Sequence, residues 1–215
     1  MATPILLLNT RVQMQSALAT GRTITAISKA SEAVITGTHD FSIGDYILID
    51  GVVGMTEINN RIVRVKAVST TVSFTANGLD STNWTTYVSG GTATKITSMV
   101  SFDNVTSFNY AEPQPNRIDV TTIDQNQKVE VFGLDDAPTA TMNMNAAPTS
   151  AAVIELRKAS LAKTTRGFVV TTQTGQILIF NAYVAGGRGF DGSVGAVATG
   201  QASMTFAAPE QWFAS

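Results

Sequence analysis

The sequence has no cysteine and a single histidine, His39. Thiol nucleophiles, disulfides, Cys/His zinc sites and a histidine-based triad therefore have no residues to build them. Charge is also scarce, at 14% of 215 residues against roughly 25% in an ordinary soluble domain. Fourteen basic and sixteen acidic side chains give a formal charge of −2. With no Lys/Arg run, the electrostatic footprint of a nucleic-acid binder is missing. Long apolar runs are absent too: near the N-terminus Ile5 to Leu8 is too short for a signal core or a membrane span and has no basic residue before it. The expectation is a soluble chain made in the cytosol, with no membrane association, in which the sequons at Asn83 and Asn104 are coincidences. Trp84 and Trp212 stand apart and are not interleaved with basic residues, so no stacking platform for single-stranded nucleic acid is expected.

What is present is Ser, Thr, Asn, Gln, Gly and Ala, a neutral surface suited to burial against other subunits. From about Arg22 to Lys95 short β-type runs alternate with turn residues, the pattern of a small barrel or sandwich. These runs are Thr23–Ser28, Ala33–Thr36, Tyr46–Ile49, Ile62–Val65 and Val72–Thr75, and the paired Gly90-Gly91 reads as a turn before Thr92–Thr97. The block holds six acidic and six basic residues, leaving ten acidic and eight basic elsewhere. Further on, Lys128–Val131, Thr139–Met144 and Ala196–Phe206 alternate, and Phe168–Thr172 joins the apolar run Gln176–Val184 through Gln173-Thr174-Gly175 as a hairpin. One helix is expected over Ala151–Lys163, started by Pro148-Thr149-Ser150. Ala152, Val153, Leu156 and Ala159 share a face, while Ile154 and Leu161 lie on another, either exposed or against a neighbour.

Few residues suggest chemistry. Gly187-Arg188-Gly189-Phe190-Asp191-Gly192 matches G-x-G-x-x-G, but a dinucleotide site needs a helix to start there and a strand pattern follows instead. Asp135-Asp136, with Asp124 and Glu130 nearby, could serve a cation or an acid/base pair, yet Gly133–Pro138 reads as a solvated turn. Lys158, Lys163 and Ser160 have no adjacent base, and His39, beside Asp40 in a turn-like segment, is expected at the surface. No cofactor, no metal and no catalytic residue are expected.

Two stretches nevertheless have a family likeness. Phe41 to Tyr46, then Gly51-Val52-Val53-Gly54-Met55-Thr56-Glu57-Ile58-Asn59-Asn60-Arg61, and finally Tyr87-Val88-Ser89-Gly90-Gly91, resemble the small β domain named after the first catalytic cysteine half-domain of ubiquitin-activating enzymes, which recurs in phage tail proteins. Val12–Leu18 and Ile24–Ala30, with Asn116–Asp124, Val131–Asp136 and the helix, resemble the tail tube subunits of long-tailed, non-contractile phages.

The resemblance implies a mainly β fold: a tail-tube β-sandwich with one α-helix, forming a hexameric β-barrel ring, plus a small inserted β-barrel-like domain. Residues 1–21 and 96–215 would form the tube domain and 22–95 an insertion on the exterior. As a structural virion protein of the tail, assembled in the bacterial host cytoplasm, it would stack as homo-hexamers, meet the tape measure protein and other tail proteins, and let DNA pass without specific binding. Strands of 117–145 and 168–206 would build the shared inner barrel. The loop Gly186, Gly187, Arg188, Gly189, Phe190 and Asp191 is then the candidate inter-ring contact, and Asp119, Asp124, Glu130, Asp135 and Asp136 are candidate lumen or loop acids. A rival is a tail tip or baseplate adhesion module that binds a host-surface glycan, for which Trp84 and Tyr87 are the nearby aromatics. A carboxylate hydrolase is a third.

Overall fold

The computed structural model describes residues 7–69, 71–112, 115–187 and 189–213. It is mainly β, as the alternating patterns require, with sixteen strands and one α-helix in the order β1 (Arg11–Leu18), β2 (Arg22–Thr23), β3 (Ala26–Ile27), β4 (Val34–Thr36), β5 (Tyr46–Val53), a 3-10 turn (Thr56–Ile58), β6 (Arg61–Ser69), β7 (Ser73–Ala76), β8 (Ser89–Phe102), β9 (Val105–Ala111), β10 (Pro115–Asp119), β11 (Glu130–Asp135), β12 (Thr139–Asn145), α1 (Ala151–Ala162), β13 (Thr165–Thr171), β14 (Ile177–Gly186), β15 (Thr199–Phe206) and β16 (Gln211–Phe213). Hydrogen bonds run along the path β3-β4-β7-β6-β5-β8-β1-β13-β14-β15-β12-β9, with β2 on β8 and β16 on β14. The pair β10-β11 stands apart.

Strand β8 is the pivot. Its first half pairs with β5, from Val53↔Ser89 to Ile47↔Lys95, and its second half pairs with β1, from Leu18↔Ile96 to Val12↔Phe102. One continuous strand thus serves both a smaller lobe and the main sheet. The Gly90-Gly91 pair is not the expected turn: with φ of 72° and 97° it lies inside β8. A Cβ on Gly91 would sit 2.5 Å from Val52 Cγ2, so the glycine lets two strands approach closely.

Two main hydrophobic clusters follow from the alternation. The smaller lobe buries Ile35, Ile47, Ile49, Met55, Ile58, Val63, Val65 and Phe74 around one centre. In the main sheet, Val12 and Met14 of β1, Phe168 and Val170 of β13, and Phe180, Ala182 and Val184 of β14 meet Ala140, Met142 and Met144 of β12 and Ala202, Met204 and Phe206 of β15. The sheet folds over this centre. Phe108 on β9 and Phe180 on β14 have ring centroids 6.3 Å apart, although two strands lie between them in the path, a separation of about 14 Å in a flat sheet.

Folding over leaves an outer side. Against it, Ile62 of β6 and Ile96 pack with Val169, Ile179 and Phe213, and the Asn181 side chain donates to the Asn60 carbonyl at 3.1 Å, fastening the lobe to the sheet. Farther along the same outer side of β14, and across β15, β12 and β9, side chains fall into register over four strands. One row holds Ala111, Thr139, Thr205 and Tyr183; the next holds Asn109, Thr141, Ser203 and Ala185; the third holds Ser107, Asn143 and Gln201.

Helix α1 closes the main core with Ala152, Val153, Leu156 and Ala159, the face expected from spacing, while Ile154 and Leu161 are exposed. Ser150 Oγ caps it by accepting from the Val153 amide at 3.3 Å. The helix ends at Lys163, whose φ of 53° is left-handed. Because a side chain there is strained, Lys163→Gly is expected to raise stability by about 0.5–1 kcal/mol, measured by urea denaturation. An unchanged or lower midpoint would refute this.

The Phe168–Val184 hairpin forms as expected, with Thr171↔Ile177 and Gly175 at a φ of 83° in its turn. Elsewhere the chain departs from expectation. His39 is buried, stacked on Phe41 at 4.9 Å and edge-on to Phe74 at 5.4 Å, with Nδ1 accepting from the Phe41 amide. The last long strand starts at Thr199 rather than Ala196, because Ala196 and Val197 find no core to face. Asp135 lies in a strand rather than a turn, since Gly133–Asp135 continues β11 opposite β10.

Candidate functional site

All five candidate acids lie on or beside one feature. Beyond Ala111 and Thr139, where β9 and β12 part, β10 and β11 extend as an arm outside the main sheet. Asp119, Glu130 and Asp135 are in its strands, Asp124 is in the connection between them, and Asp136 follows β11. Of the expected inner-barrel span 117–145, the sheet includes β12, while β10 and β11 form this separate pair.

The acids of the arm are largely engaged. Glu130 pairs with Lys128 and lies 3.6 Å from Arg117, and Lys128 reaches Asp119 at 3.9 Å. The Lys128 hydrogen bond and charge hold the Glu130 carboxyl below the ordinary range, and the Thr121 hydroxyl does so for Asp119. No group of three or more His, Asp and Glu side chains among the described residues is arranged to hold a metal.

What the arm leaves uncovered is apolar. Register places Ile118 opposite Val131 and Arg117 opposite Phe132. Phe132 is 72% exposed and Leu134 90%, and Ile118, Val120, Ile123 and Val131 are also exposed. A two-stranded ribbon with apolar groups open on both faces is marginal in water without further packing.

The second candidate, the loop after β14, has an anchored base. Gly187 rests on Leu156, its amide donates to the Gln201 carbonyl at 3.2 Å, and its carbonyl accepts from Arg157 Nε at 2.6 Å. Gly186 closes β14. Arg188 lies outside the described residues. Gly189, Phe190 and Asp191, with Asn143 and Gln201, line an open groove of about 500 Å³. Asp191 bridges to Thr199 in antiparallel fashion, so the expected strand, not a helix, follows the G-x-G-x-x-G match.

In the smaller lobe the quoted motifs are scaffold. Asn59 reads both backbone groups of Val52, accepting at 2.8 Å and donating at 2.9 Å. Arg61 Nε donates to the Glu57 carbonyl at 2.7 Å and its guanidinium covers the Trp84 ring at 5.1 Å. Tyr87 Oη lies 3.0 Å from the Ile24 carbonyl and 2.9 Å from that of Gly90. Both aromatics are therefore engaged within the lobe.

Glu57 is part of the same clasp. The Thr85 hydroxyl at 2.6 Å, then the Thr85 amide at 2.9 Å, hold its carboxyl below the ordinary 4.5. A depressed folded-state value means that this contribution is present above about 4.5 and is lost as pH falls through the lower value. Glu57→Gln is expected to flatten the acid side of a Tm-against-pH profile. An acid limb of unchanged slope would refute this.

Two family descriptions match the chain. Ubiquitin-activating enzyme E1 FCCH domain matches residues 32–97, and phage tail tube, TTP, lambda-like, matches residues 77–178. Residues 77–178 are similar to a lambda-like phage tail tube domain. The two matches overlap on the first half of β8, the strand that both lobes share. The arm, β9, β12, α1 and β13 lie within the tail tube match, which supports a structural tail protein. The FCCH match covers most of the smaller lobe, where Cys is absent. A search of curated proteins finds no match. No helix among the described residues is long and apolar enough to cross a membrane.

Proposed function

We propose that the chain is a tail tube subunit: six copies form a ring, rings stack into a hollow tube of the virion tail, and DNA passes through it into the host. The observation that carries this reading is the arm. Its exposed Phe132, Leu134, Ile118 and Val131 belong to a tail tube domain and need a neighbouring copy to cover them. The outer edge of β9, with a partner on one side only among the described residues, offers backbone groups to the next subunit. The loop 186–191 provides a further contact between rings. Tape measure and other tail proteins are the expected partners, with assembly in the host cytoplasm.

Negative-stain microscopy with mass measurement tests the reading. Six-fold rings or tubes with a central channel support it, and a monomer at every concentration and salt overturns it. The division into a tube domain of 1–21 with 96–215 and an exterior insertion of 22–95 belongs to the same proposal. Deleting 22–95 bares the patch it covers, so the deletion is paired with Val169→Thr and Ile179→Thr. Rings are expected to persist. Loss of rings from a folded monomer would overturn the peripheral placement.

A further inference from the structure

Gly167 is a glycine where the sheet favours a side chain. It lies in β13, between β1 and β14 in the middle of the main sheet, and its φ is not positive. A glycine in a central strand costs backbone entropy and packs nothing, whereas β-branched residues are favoured there. The backbone itself therefore gives no reason for it. The reason lies overhead, where a Cβ at this position would be 2.5 Å from Ile62 Cδ1 and 3.1 Å from Ile96 Cδ1. On β6, Val63 and Val65 face the core of the smaller lobe, while Ile62 points the other way and is buried against the sheet. It fills the hole that the missing side chain leaves.

The surroundings keep Ile62 in that hole. β1 pairs with β13 only as far as Met14↔Phe168, and beyond it the buried Gln15 side chain accepts from the Gly167 amide at 3.1 Å. Opposite Gly167 on β14 is Asn181, which holds the Asn60 carbonyl just before β6. Val169, Ile179 and Phe213 complete the wall. Phe213 also lies beside the lobe's turn at Gly78, where a Cβ would be 3.8 Å from its ring. Covalently, the lobe joins the sheet only through residues 19–21 and β8, which alone would leave it free to pivot.

We propose that Gly167 is the docking determinant of the smaller lobe: its empty Cβ position is a socket, Ile62 is the key, and together they fix the lobe on the sheet so that both move as one body. A partner that grips the lobe then pulls directly on β13 and β14, with no hinge to absorb the motion. The energetic consequence is a coupling between the two positions. Ile62→Ala alone removes buried apolar surface and lowers the Tm. Gly167→Val alone overfills the socket and lowers it too. In combination the new side chain occupies the space that the shortened one vacates, so the two losses offset each other, whereas independent sites would add.

The absence of native cysteine makes the test direct. Spin labels at Val72→Cys on the lobe and Leu161→Cys on α1, both at exposed positions, report the placement of the lobe by pulsed electron resonance in chains diluted into unlabelled protein. The labelled chain is expected to give one narrow distance distribution, Gly167→Val to lose it, and Gly167→Val with Ile62→Ala to regain it. Thermal denaturation is the second readout, with the Tm of the double variant above that of Gly167→Val and no lower than that of Ile62→Ala. A broad distribution in the labelled chain, a narrow one retained by Gly167→Val, or losses of Tm that simply add would each overturn the inference. Should Gly167→Val alone not fold, the double variant decides against Ile62→Ala. An equal or higher Tm supports the socket, and a lower Tm or failure to fold overturns it.

Discussion

Phe132→Glu combined with Leu134→Glu is expected to convert tubes into monomers without lowering the Tm. Both side chains are exposed on β11, so the folded subunit loses little packing when they change beyond the Arg117 guanidinium over the Phe132 ring at 5.9 Å. Surface substitutions of this kind stay within about ±0.5 kcal/mol. Assembly is affected quite differently. Each large apolar side chain buried against a neighbour contributes about 1.5–3 kcal/mol, and burying an unpaired carboxylate in its place adds a desolvation cost of several kcal/mol. Two sites at every contact therefore remove at least about 3–6 kcal/mol, which weakens each association constant roughly a hundredfold to ten-thousandfold. A closed ring repeats the loss around its circumference. Sedimentation at several concentrations gives the assembly state and thermal denaturation the fold. Normal tubes from the double variant would remove the arm from assembly. A Tm lowered by many degrees would mean that the arm is part of the subunit's own core.

Much of this arrangement is legible in the sequence because burial on one face imposes a period. Thr139–Met144 alternates since Ala140, Met142 and Met144 must reach the core, and the helix spacing selects Ala152, Val153, Leu156 and Ala159 for the same reason. Where that constraint is missing, the reading drifts. The arm buries nothing, so Gly133 and the paired aspartates read as a turn although β11 runs through Asp135. Gly90-Gly91 has the local chemistry of a turn. Only the distant pairing of Val52 with Gly90 and Asp50 with Thr92 keeps it within β8. His39 takes its environment from Phe74, thirty-five positions away, which no local pattern reveals. The rows of polar side chains depend on cross-strand register among β9, β12, β15 and β14. Register of that kind is a property of the folded sheet.

The folded-over core makes the last prediction. Phe180 is 2% exposed and stacks on Phe206 at 4.2 Å and on Phe168 at 5.1 Å, with Phe108 of the far strand at 6.3 Å. It is the ring through which the two halves of the sheet meet. Phe180→Ala is expected to cost about 3–5 kcal/mol, because the removed ring leaves a cavity and the aromatic pairs add about 0.5–1.5 kcal/mol each beyond their buried area. For a chain of this size that lowers the Tm by on the order of 10 °C. Phe190→Ala, on the exposed loop, is the matched control and should leave the Tm within a degree or two. The consequence reaches the proposed tube, since the subunit keeps its shape only while the sheet stays folded over Phe180. Tubes of the variant should therefore fall apart at a temperature lowered by a similar amount. A Phe180→Ala chain as stable as Phe190→Ala would mean that the two halves of the sheet do not depend on this contact.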